Sequence, residues 1–165
     1  MTRAQVGARS GRQKLLRWFK STSNRTFIAY PLLLFALEFA VQGGMPAVEP
    51  WAVPLLAWGY LQYRLVGDYR LRLGKGGPGV EVPPERIVAQ GPYRYVRNPM
   101  YLGHLIFMLG LALALRSWPA AALFAFHVAW FNRRVLADET RLETLFGAEY
   151  LDYKRRVKRW IPGVL

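Results

Sequence analysis

Apolar residues are concentrated in four runs along the chain, at residues 26–45, 48–67, 99–115 and 118–136. A helix needs roughly 20 apolar positions to cross about 30 Å of hydrocarbon, and each run approaches that length. The apolar part of the last run stops at Phe131, so we expect this helix to continue beyond the bilayer with Asn132, Arg133 and Arg134. The pattern predicts an all-α membrane protein with four transmembrane helices, because a helix satisfies its backbone hydrogen bonds within its own segment.

The lysines and arginines between these runs predict the orientation, since short loops rich in them stay in the cytoplasm. Residues 1–25 carry basic charges and no acidic ones, whereas the turn at 43–50 holds only Glu49. The loop at 64–97 and the tail after Arg133 are again basic. We therefore expect both termini on the cytoplasmic side of a bacterial or archaeal inner membrane, with any site for a soluble ligand facing the cytoplasm.

The same pattern divides one structural domain into five consecutive segments. They are a basic interfacial arm (1–25), a transmembrane helical hairpin (26–67), a cytoplasmic loop (68–98), a second transmembrane hairpin (99–136), and a cytoplasmic C-terminal helix and tail (137–165). In the last segment apolar and aromatic side chains recur at helical spacing, which predicts packing on the core or on the membrane surface. These residues are Leu142, Phe146, Tyr150, Tyr153 and Val157.

The basic arm has the pattern of an amphipathic helix. Near its end, Leu15, Leu16, Trp18 and Phe19 are interleaved with basic residues. This mixture favours an interfacial helix on anionic lipid over a nucleic-acid-binding arm. The long basic start and the absence of a small-x-small cleavage site also favour an uncleaved first helix over a signal peptide.

Composition excludes several kinds of chemistry. The 165 residues are 53% hydrophobic with a net charge of +13, and they include no cysteine and two histidines. Without cysteine there is no disulfide framework and no thiolate nucleophile, and two histidines are too few to hold a transition metal alone. We therefore expect no metal site, membrane lipids as partners, and no nucleic-acid partner.

The central loop has two parts of different composition. Its glycine-rich part, GKGGPG at residues 74–79, lacks both the Lys-Ser ending of a phosphate loop and a preceding strand, so it is more typical of a linker. After it, paired prolines, a Gly-Pro and an Asn-Pro restrict the backbone. We expect an ordered, irregular segment there until Pro99 opens the next helix.

Two motifs carry a family resemblance. The stretch GPYRYVRNPMYLG, Gly91 to Gly103, precedes an apolar run, and it is followed by the pair Asp138–Glu139 and by FGAEYLDYKRRVKRWIP. In this order they resemble the integral-membrane methyltransferases that include isoprenylcysteine carboxyl methyltransferase and the phospholipid N-methyltransferases. The resemblance covers residues 85–162. It implies S-adenosyl-L-methionine as methyl donor, bound at the cytoplasmic ends of the last two helices, and a lipid-like or amphiphilic acceptor.

The resemblance also implies roles for individual residues. The implied cofactor-binding residues are Ile87, Val88, Gly91, Tyr93, Arg97, Asn98, Pro99, Met100, Tyr101, Gly103, His104, Asp138 and Glu139. Arg134 falls where an acceptor-binding arginine is expected, and Arg134 and Glu139 are the implied catalytic residues. Asn98 stands where the family often has histidine, and because an amide does not titrate near neutral pH, it cannot shuttle protons.

The residue types suit methyl transfer on physical grounds as well. A displacement at a sulfonium-activated carbon needs alignment of donor and acceptor and exclusion of water, without a covalent intermediate. Tyrosine rings offer π faces to a sulfonium, and the carboxylates can pair with the donor's ammonium. Arg134 lies about one helical turn before Asp138, where it could hold an acceptor carboxylate or phosphate. Both a carboxylate acceptor and a phospholipid amine remain open, and a protonated amine would need a base.

Simpler interpretations exist for the same residues. Tyrosines and arginines beside a membrane helix are common interface anchors, and the acidic pair with Arg134 is also compatible with a solvated helix face. Ionisable residues within the spans are costly and mark functional or paired groups. Glu38 is accordingly expected either to pair, for example with His127 or a buried arginine, or to line an acceptor tunnel. A non-enzymatic transporter or assembly partner that uses Glu38 and the histidines is the alternative function.

Overall fold

The computed structural model describes residues 3–75 and 85–161, and within these ranges the chain is helical apart from turns and one parallel β-bridge between Val96 and Lys158. The helices are α1 (Arg3–Lys20), α2 (Thr22–Asn24), α3 (Tyr30–Gln42), α4 (Val53–Gly74), α5 (Pro99–Leu115), α6 (Trp118–Phe146) and α7 (Ala148–Arg156). The all-α prediction is confirmed for the described residues. The helices form two compact units, Met1–Val48 and Glu49–Leu165.

In the first unit, α2 and α3 are joined by a π-helical turn at Arg25–Ala29, so that Thr22–Gln42 is one helical stretch. It ends at Gly43, whose φ of 70° is the left-handed conformation that glycine adopts readily. Among the described residues, this stretch alone is both long and apolar enough to cross a membrane, and Pro99–Leu115 is a shorter apolar helix. Glu38 is buried and accepts a hydrogen bond from Gln42 Nε2 at 2.9 Å.

In the second unit, α4 and α5 approach closely because two glycines face each other's backbone. A Cβ at Gly59 would lie 2.7 Å from the carbonyl oxygen of Gly103, and a Cβ at Gly103 would lie 2.9 Å from the carbonyl oxygen of Gly59. Gln62 Nε2 also donates to the carbonyl of Pro99 at 2.9 Å. This packing holds the first turn of α5 against α4. We call Gly91–Gly103 the site motif, and its last residues form this turn.

Helix α4 is longer than the sequence pattern predicted. The run was expected to end at Gly67 with a loop following, but α4 continues through residues 68–74 and ends before Lys75, which takes a left-handed φ of 51°. The extension carries the charged residues Asp68, Arg70 and Arg72, so hydropathy does not reveal it, yet arginine is a good helix former. The central loop therefore begins later than expected, and Arg70 belongs to a helix.

Helix α6 begins at Trp118 and is capped by Ser117, whose side chain accepts a hydrogen bond from the backbone N–H of Ala120 at 3.2 Å. It continues without a break past Phe131 to Phe146, so the expected helical continuation through Asn132–Arg134 is observed. The segment 137–165, expected to hold a C-terminal helix and tail, contains parts of two helices in the residues that the structure describes. Residues 137–146 belong to α6, and Gly147, at φ 53° and ψ −127°, turns the chain into the short helix α7.

Candidate functional site

A cavity in the second unit brings together the site motif, α6 and α7. Its lining residues are Arg70, Ile87, Val88, Tyr93, Arg97, Asn98, Met100, Tyr101, Asp138, Glu139, Arg141, Leu142, Tyr150 and Tyr153. They come from the end of α4, from the irregular segment at 87–98, from the first turn of α5, from the polar half of α6, and from α7. The cavity therefore lies where five parts of the chain converge.

Glu139 is the central buried charge of this region, with only 2% of its surface exposed. Arg97 contacts it with Nε at 3.0 Å from Oε1 and Nη2 at 3.3 Å from Oε2. Arg159 contacts the same two oxygens, with Nε at 3.1 Å from Oε1 and Nη2 at 2.9 Å from Oε2. Burial alone would raise the pKa of Glu139, but the hydrogen bonds from Arg159 and Arg97 outweigh it and hold this pKa below its usual value. Glu139 is therefore ionised, and both of its oxygens accept hydrogen bonds from two guanidiniums.

Arg97 connects this carboxylate to the end of α7. Its Nη1 donates to the carbonyl of Lys154 at 3.0 Å and also to the carbonyl of Val157. A cation at the last carbonyls of a helix satisfies acceptors that have no partner within the helix, and it complements the helix dipole. Arg97 therefore fixes α7 relative to α6, and with it the two α7 tyrosines that line the cavity.

Asp138 is arranged differently from its neighbour. Its Oδ2 accepts a hydrogen bond from the Tyr101 hydroxyl at 3.0 Å, which connects α6 to the first turn of α5. Burial raises the pKa of Asp138 above its usual value, although the Tyr101 hydrogen bond and the charges of Arg134, Arg141 and Arg70 oppose this shift. Asp138 is thus a half-buried carboxylate that borders the cavity, and it is better placed than Glu139 to meet a cationic ligand.

The tyrosines form a wall whose hydroxyls stay protonated. Burial raises the pKa of Tyr93 to about 12, against the opposing charge of Arg70. Burial also raises the pKa of Tyr150 and of Tyr153. The Tyr153 hydroxyl donates to the backbone carbonyl of Tyr93 at 2.8 Å. Since this bond joins α7 to the turn at Gly91–Arg94, the tyrosines of these two elements form one continuous wall.

Most of the site residues expected from the sequence line the cavity together. Those that do so are Ile87, Val88, Tyr93, Arg97, Asn98, Met100, Tyr101, Asp138 and Glu139. Asn98 precedes α5, and its Nδ2 donates weakly to Glu139 Oε1 at 3.5 Å. Arg134 is not among the lining residues. It lies beside Asp138 in charge interaction, and its guanidinium carbon is 5.9 Å from the centroid of the Trp130 ring.

Four other expected residues are placed outside the cavity lining and have packing roles. Gly91, at φ 57°, sits against the Tyr69 ring, where a Cβ would lie 2.6 Å from a ring carbon. Pro99 is the first residue of α5, and Gly103 lies at the α4–α5 contact. His104 is buried, its Nδ1 is 2.9 Å from the carbonyl of Met100, and its ring packs on the rings of Tyr63 and Phe131.

Glu38 and His127, the ionisable candidates within the apolar runs, are also not among the lining residues. Glu38 belongs to the first unit, where Gln42 donates to it. His127 is buried on α6, and its Nδ1 is 2.9 Å from the carbonyl of Leu123 in the same helix. Its ring packs edge-on against Phe126, Trp130 and Phe131.

Sequence reasoning missed five lining residues, which are Arg70, Arg141, Leu142, Tyr150 and Tyr153. The last three were expected to pack, and they do: Tyr150, Tyr153 and Val157 form a buried cluster with Leu142, Phe146, Ile87 and Ala89 around it. Leu142, Tyr150 and Tyr153 also border the cavity with another part of their surface. Arg141 was recognisable, because it lies three residues after Asp138 and so shares a face of α6 with it. Arg70 had no such signal, since only the fold brings α4 to the site.

Comparison with known proteins finds similarity over the part of the chain that contains most of the lining residues. Residues 65–149, just over half of the chain, match the family described as phospholipid methyltransferase. The matched stretch includes the end of α4, the site motif, α5 and α6. It therefore contains the residues that line the cavity, except the two α7 tyrosines.

Individual relatives match a similar stretch. The chain is 36% identical over 78 residues to protein-S-isoprenylcysteine O-methyltransferase of Schizosaccharomyces pombe, which covers 46% of this chain and 33% of that protein. It is 35% identical over 81 residues to protein-S-isoprenylcysteine O-methyltransferase B of Arabidopsis thaliana, covering 48% of this chain and 41% of the relative. With protein-S-isoprenylcysteine O-methyltransferase of Mus musculus the identity is 34% over 79 residues, covering 47% of this chain and 28% of the relative.

The chain therefore aligns with well under half the length of these curated relatives. The family match is broader, since it reaches over half of this chain and coincides with the cavity described above. On that basis the chain belongs to the phospholipid methyltransferase family.

Proposed function

We propose that this protein is an integral-membrane methyltransferase that uses S-adenosyl-L-methionine to methylate an amphiphilic acceptor. The observation that carries the proposal is the cavity in which Tyr93, Tyr101 and Asp138 meet, within the segment that matches the family. S-adenosyl-L-methionine supplies an activated methyl group on a sulfonium. The chain's own residues have to bind this donor, orient it towards the acceptor and exclude water.

The lining residues fit the chemistry of such a donor. Asp138, a carboxylate bordering the cavity, would hold the donor's ammonium, and the Tyr101 hydroxyl fixes the direction of that carboxylate at 3.0 Å. Aromatic rings from two elements would face the sulfonium. Apolar side chains of Ile87, Val88 and Leu142 offer surface for an adenine ring. In this proposal Glu139 has a different role from the one implied by the resemblance, because both of its oxygens are already held by arginines.

The titratable groups of the cavity favour an acceptor that is already anionic. An amine must lose a proton before it attacks, whereas a carboxylate attacks as it stands. Among the described lining residues, the Tyr93 hydroxyl stays protonated with a pKa of about 12, and Glu139 is bound by Arg97 and Arg159. If Asp138 holds the donor, the lining residues that the structure describes leave no carboxylate to deprotonate an amine. We therefore propose a carboxylate acceptor, which agrees with the O-methyltransferase names of the relatives.

Three arginines provide positive charge for that acceptor. Arg70 and Arg141 line the cavity, and Arg134 lies beside Asp138. Arginine suits carboxylate recognition because its planar guanidinium donates two parallel hydrogen bonds. In the proposed mechanism Arg134 holds the acceptor carboxylate, as the resemblance implies, and Arg70 and Arg141 add attraction for an anionic headgroup.

We further propose that the chain crosses the membrane four times, with both termini and the site in the cytoplasm of a bacterial or archaeal cell. Large apolar side chains are exposed where lipid would contact them: Leu32 and Leu33 on α3, Trp58 on α4, and Trp118 and Phe126 on α6. Exposed apolar surface of this extent is unusual for a protein in water. The basic residues on the site side of these helices support the cytoplasmic orientation.

Donor binding tests the proposed activity. Detergent-purified protein is titrated calorimetrically with S-adenosyl-L-methionine and with its demethylated product. We expect saturable binding that Tyr101→Ala and Asp138→Asn weaken and that Glu38→Gln leaves unchanged. Absence of binding to the wild-type protein would remove the enzymatic proposal. A defect confined to Glu38→Gln would instead support the transporter alternative.

Cysteine labelling tests the topology, since the natural chain contains no cysteine. Single cysteines are placed at Gln13, Gly44, Trp118 and Glu149 and are labelled in intact cells with a membrane-impermeant maleimide. The four-span orientation predicts labelling from outside at positions 44 and 118 only. External labelling at 13 or 149 would contradict it.

A further inference from the structure

The chain continues beyond the family match into a segment that contacts Glu139 and Arg97 of the site. We call Val157–Trp160 the C-terminal strap; it follows α7, whereas the match ends at residue 149. Val157 is 7% exposed, and the carbonyl of Lys158 accepts a hydrogen bond from the backbone N–H of Arg97 at 2.9 Å. The strap thus lies beside the site motif, and Lys158 pairs with Val96 in the one β-bridge of the described residues.

The strap supplies one of the two cations that hold Glu139. Arg159 makes two hydrogen bonds to this carboxylate, with Nη2 at 2.9 Å and Nε at 3.1 Å. Its side chain is 24% exposed and that of Glu139 is 3% exposed, so the pair is largely shielded from water. The interaction is therefore stronger than an exposed ion pair, and it closes a chain of contacts from the strap through Glu139 to Arg97.

The strap also supports the other member of the acidic pair. Trp160 packs against the cluster of Tyr101, Phe131 and Val135, and its Nε1 donates to Asn132 Oδ1 at 3.3 Å. Tyr101 in turn donates to Asp138. Of two consecutive strap residues, Arg159 thus contacts Glu139 directly, and Trp160 packs against the cluster of Tyr101, the partner of Asp138.

We propose that the C-terminal strap completes the donor site and that Arg159 is a positioning residue for it. Arg159 does not line the cavity. It acts by sharing Glu139 with Arg97, whose other bonds hold the end of α7 and therefore the tyrosine wall. Without Arg159, Glu139 retains one guanidinium, and the strap loses its ion pair with α6 while Trp160 keeps its contacts there. This inference rests on the proposed donor binding.

The test compares the affinity of matched variants for the demethylated product of S-adenosyl-L-methionine. Arg159→Met removes the charge and keeps the aliphatic length, and Arg159→Lys keeps the charge. Arg155→Met is the matched control, because Arg155 pairs with Asp152 on the surface of α7 with 76% of its side chain exposed. We expect Arg159→Met to weaken binding roughly tenfold or more, within the range of coupled neighbouring groups. Arg159→Lys should restore part of this loss, and the control should bind as the wild type does.

A second comparison separates positioning from loss of folding. Glu139→Gln is combined with Arg159→Met, and affinities are measured at a temperature where thermal melts show every variant folded. If Arg159 acts through Glu139, the double variant binds no more weakly than Glu139→Gln alone. Trp160→Phe, which keeps the ring packing and loses the Asn132 bond, should cost a few-fold at most.

The outcomes are distinguishable. Wild-type protein that binds no donor or product overturns the proposed function and the strap's role together. Wild-type binding with an unchanged Arg159→Met variant overturns the strap inference alone. A double variant whose losses simply add would also overturn it, because Arg159 would then act independently of Glu139.

Discussion

Replacing Arg97 by methionine should destabilise the protein more than any other loss of a single positive charge in the site motif. Arg97 has a side chain that is 7% exposed, and it donates to both oxygens of Glu139 and to two carbonyls at the end of α7. Removing one partner of a buried ion pair costs about 3–5 kcal/mol. Because Arg159 still pairs with Glu139, we expect the lower end, about 3 kcal/mol.

Thermal unfolding in detergent measures this loss. For a chain of this length, 1 kcal/mol corresponds to a shift in Tm of about 2–4 °C, so Arg97→Met should lower Tm by roughly 6–12 °C. Arg97→Lys should fall between the wild type and Arg97→Met, because lysine keeps the charge but lacks the planar fork.

Arg155→Met provides the comparison for this measurement as well. Its ion pair with Asp152 is exposed, and exposed pairs contribute about 0–1 kcal/mol. If Arg97→Met lowered Tm by no more than Arg155→Met, the four hydrogen bonds of Arg97 would not contribute to stability as the reasoning requires.

Three further predictions concern packing, pH and the tyrosine wall. Gly59→Ala should lower the free energy of unfolding by about 1–3 kcal/mol through overpacking, whereas Gly67→Ala on the same helix, where a Cβ would lie 3.6 Å from Met100 Cε, should be neutral or stabilising in the same melts. Since burial raises the pKa of Asp138 above 3.8, product affinity should fall as the pH drops through that raised value, and Asp138→Asn should abolish this dependence. The same shift means that ionised Asp138 costs stability as pH rises through its folded pKa, so Asp138→Asn should raise Tm of the ligand-free protein at neutral pH. Tyr153→Phe should cost about 1 kcal/mol, because it removes the 2.8 Å hydrogen bond to the Tyr93 carbonyl.

The helices and the composition of the site were accessible from sequence because local signals define them. Apolar runs located α3, α5 and α6, and the proline at position 99 marked where α5 begins. The motif GPYRYVRNP and the acidic pair were recognised as parts of one site, and the structure brings their side chains to one cavity. Each of these signals lies within a few neighbouring residues.

The roles within the site were less accessible, because they depend on contacts between distant residues. Glu139 was expected to bind the donor, but its two arginine partners lie 42 and 20 residues away in the chain. No local pattern distinguishes its surroundings from those of Asp138, which precedes it by one position and faces the cavity. Tyr150 and Tyr153 show the same difficulty, since helical spacing predicts a packed face but not that the face also borders a cavity.

Because helix α6 is unbroken, it fixes the distance along its axis between Trp118 and Asp138. At about 1.5 Å per residue its 29 residues extend roughly 43 Å, so in the proposed topology the helix outreaches about 30 Å of hydrocarbon. The height of Asp138 above the lipid and its direction around the helix axis are then set by counting residues from Trp118. One alanine inserted after Phe131 would rotate everything beyond it by about 100° and turn Asp138 away from Tyr101. In the proposed topology, the number of residues between Trp118 and Asp138 thus sets how far from the bilayer the methyl transfer takes place.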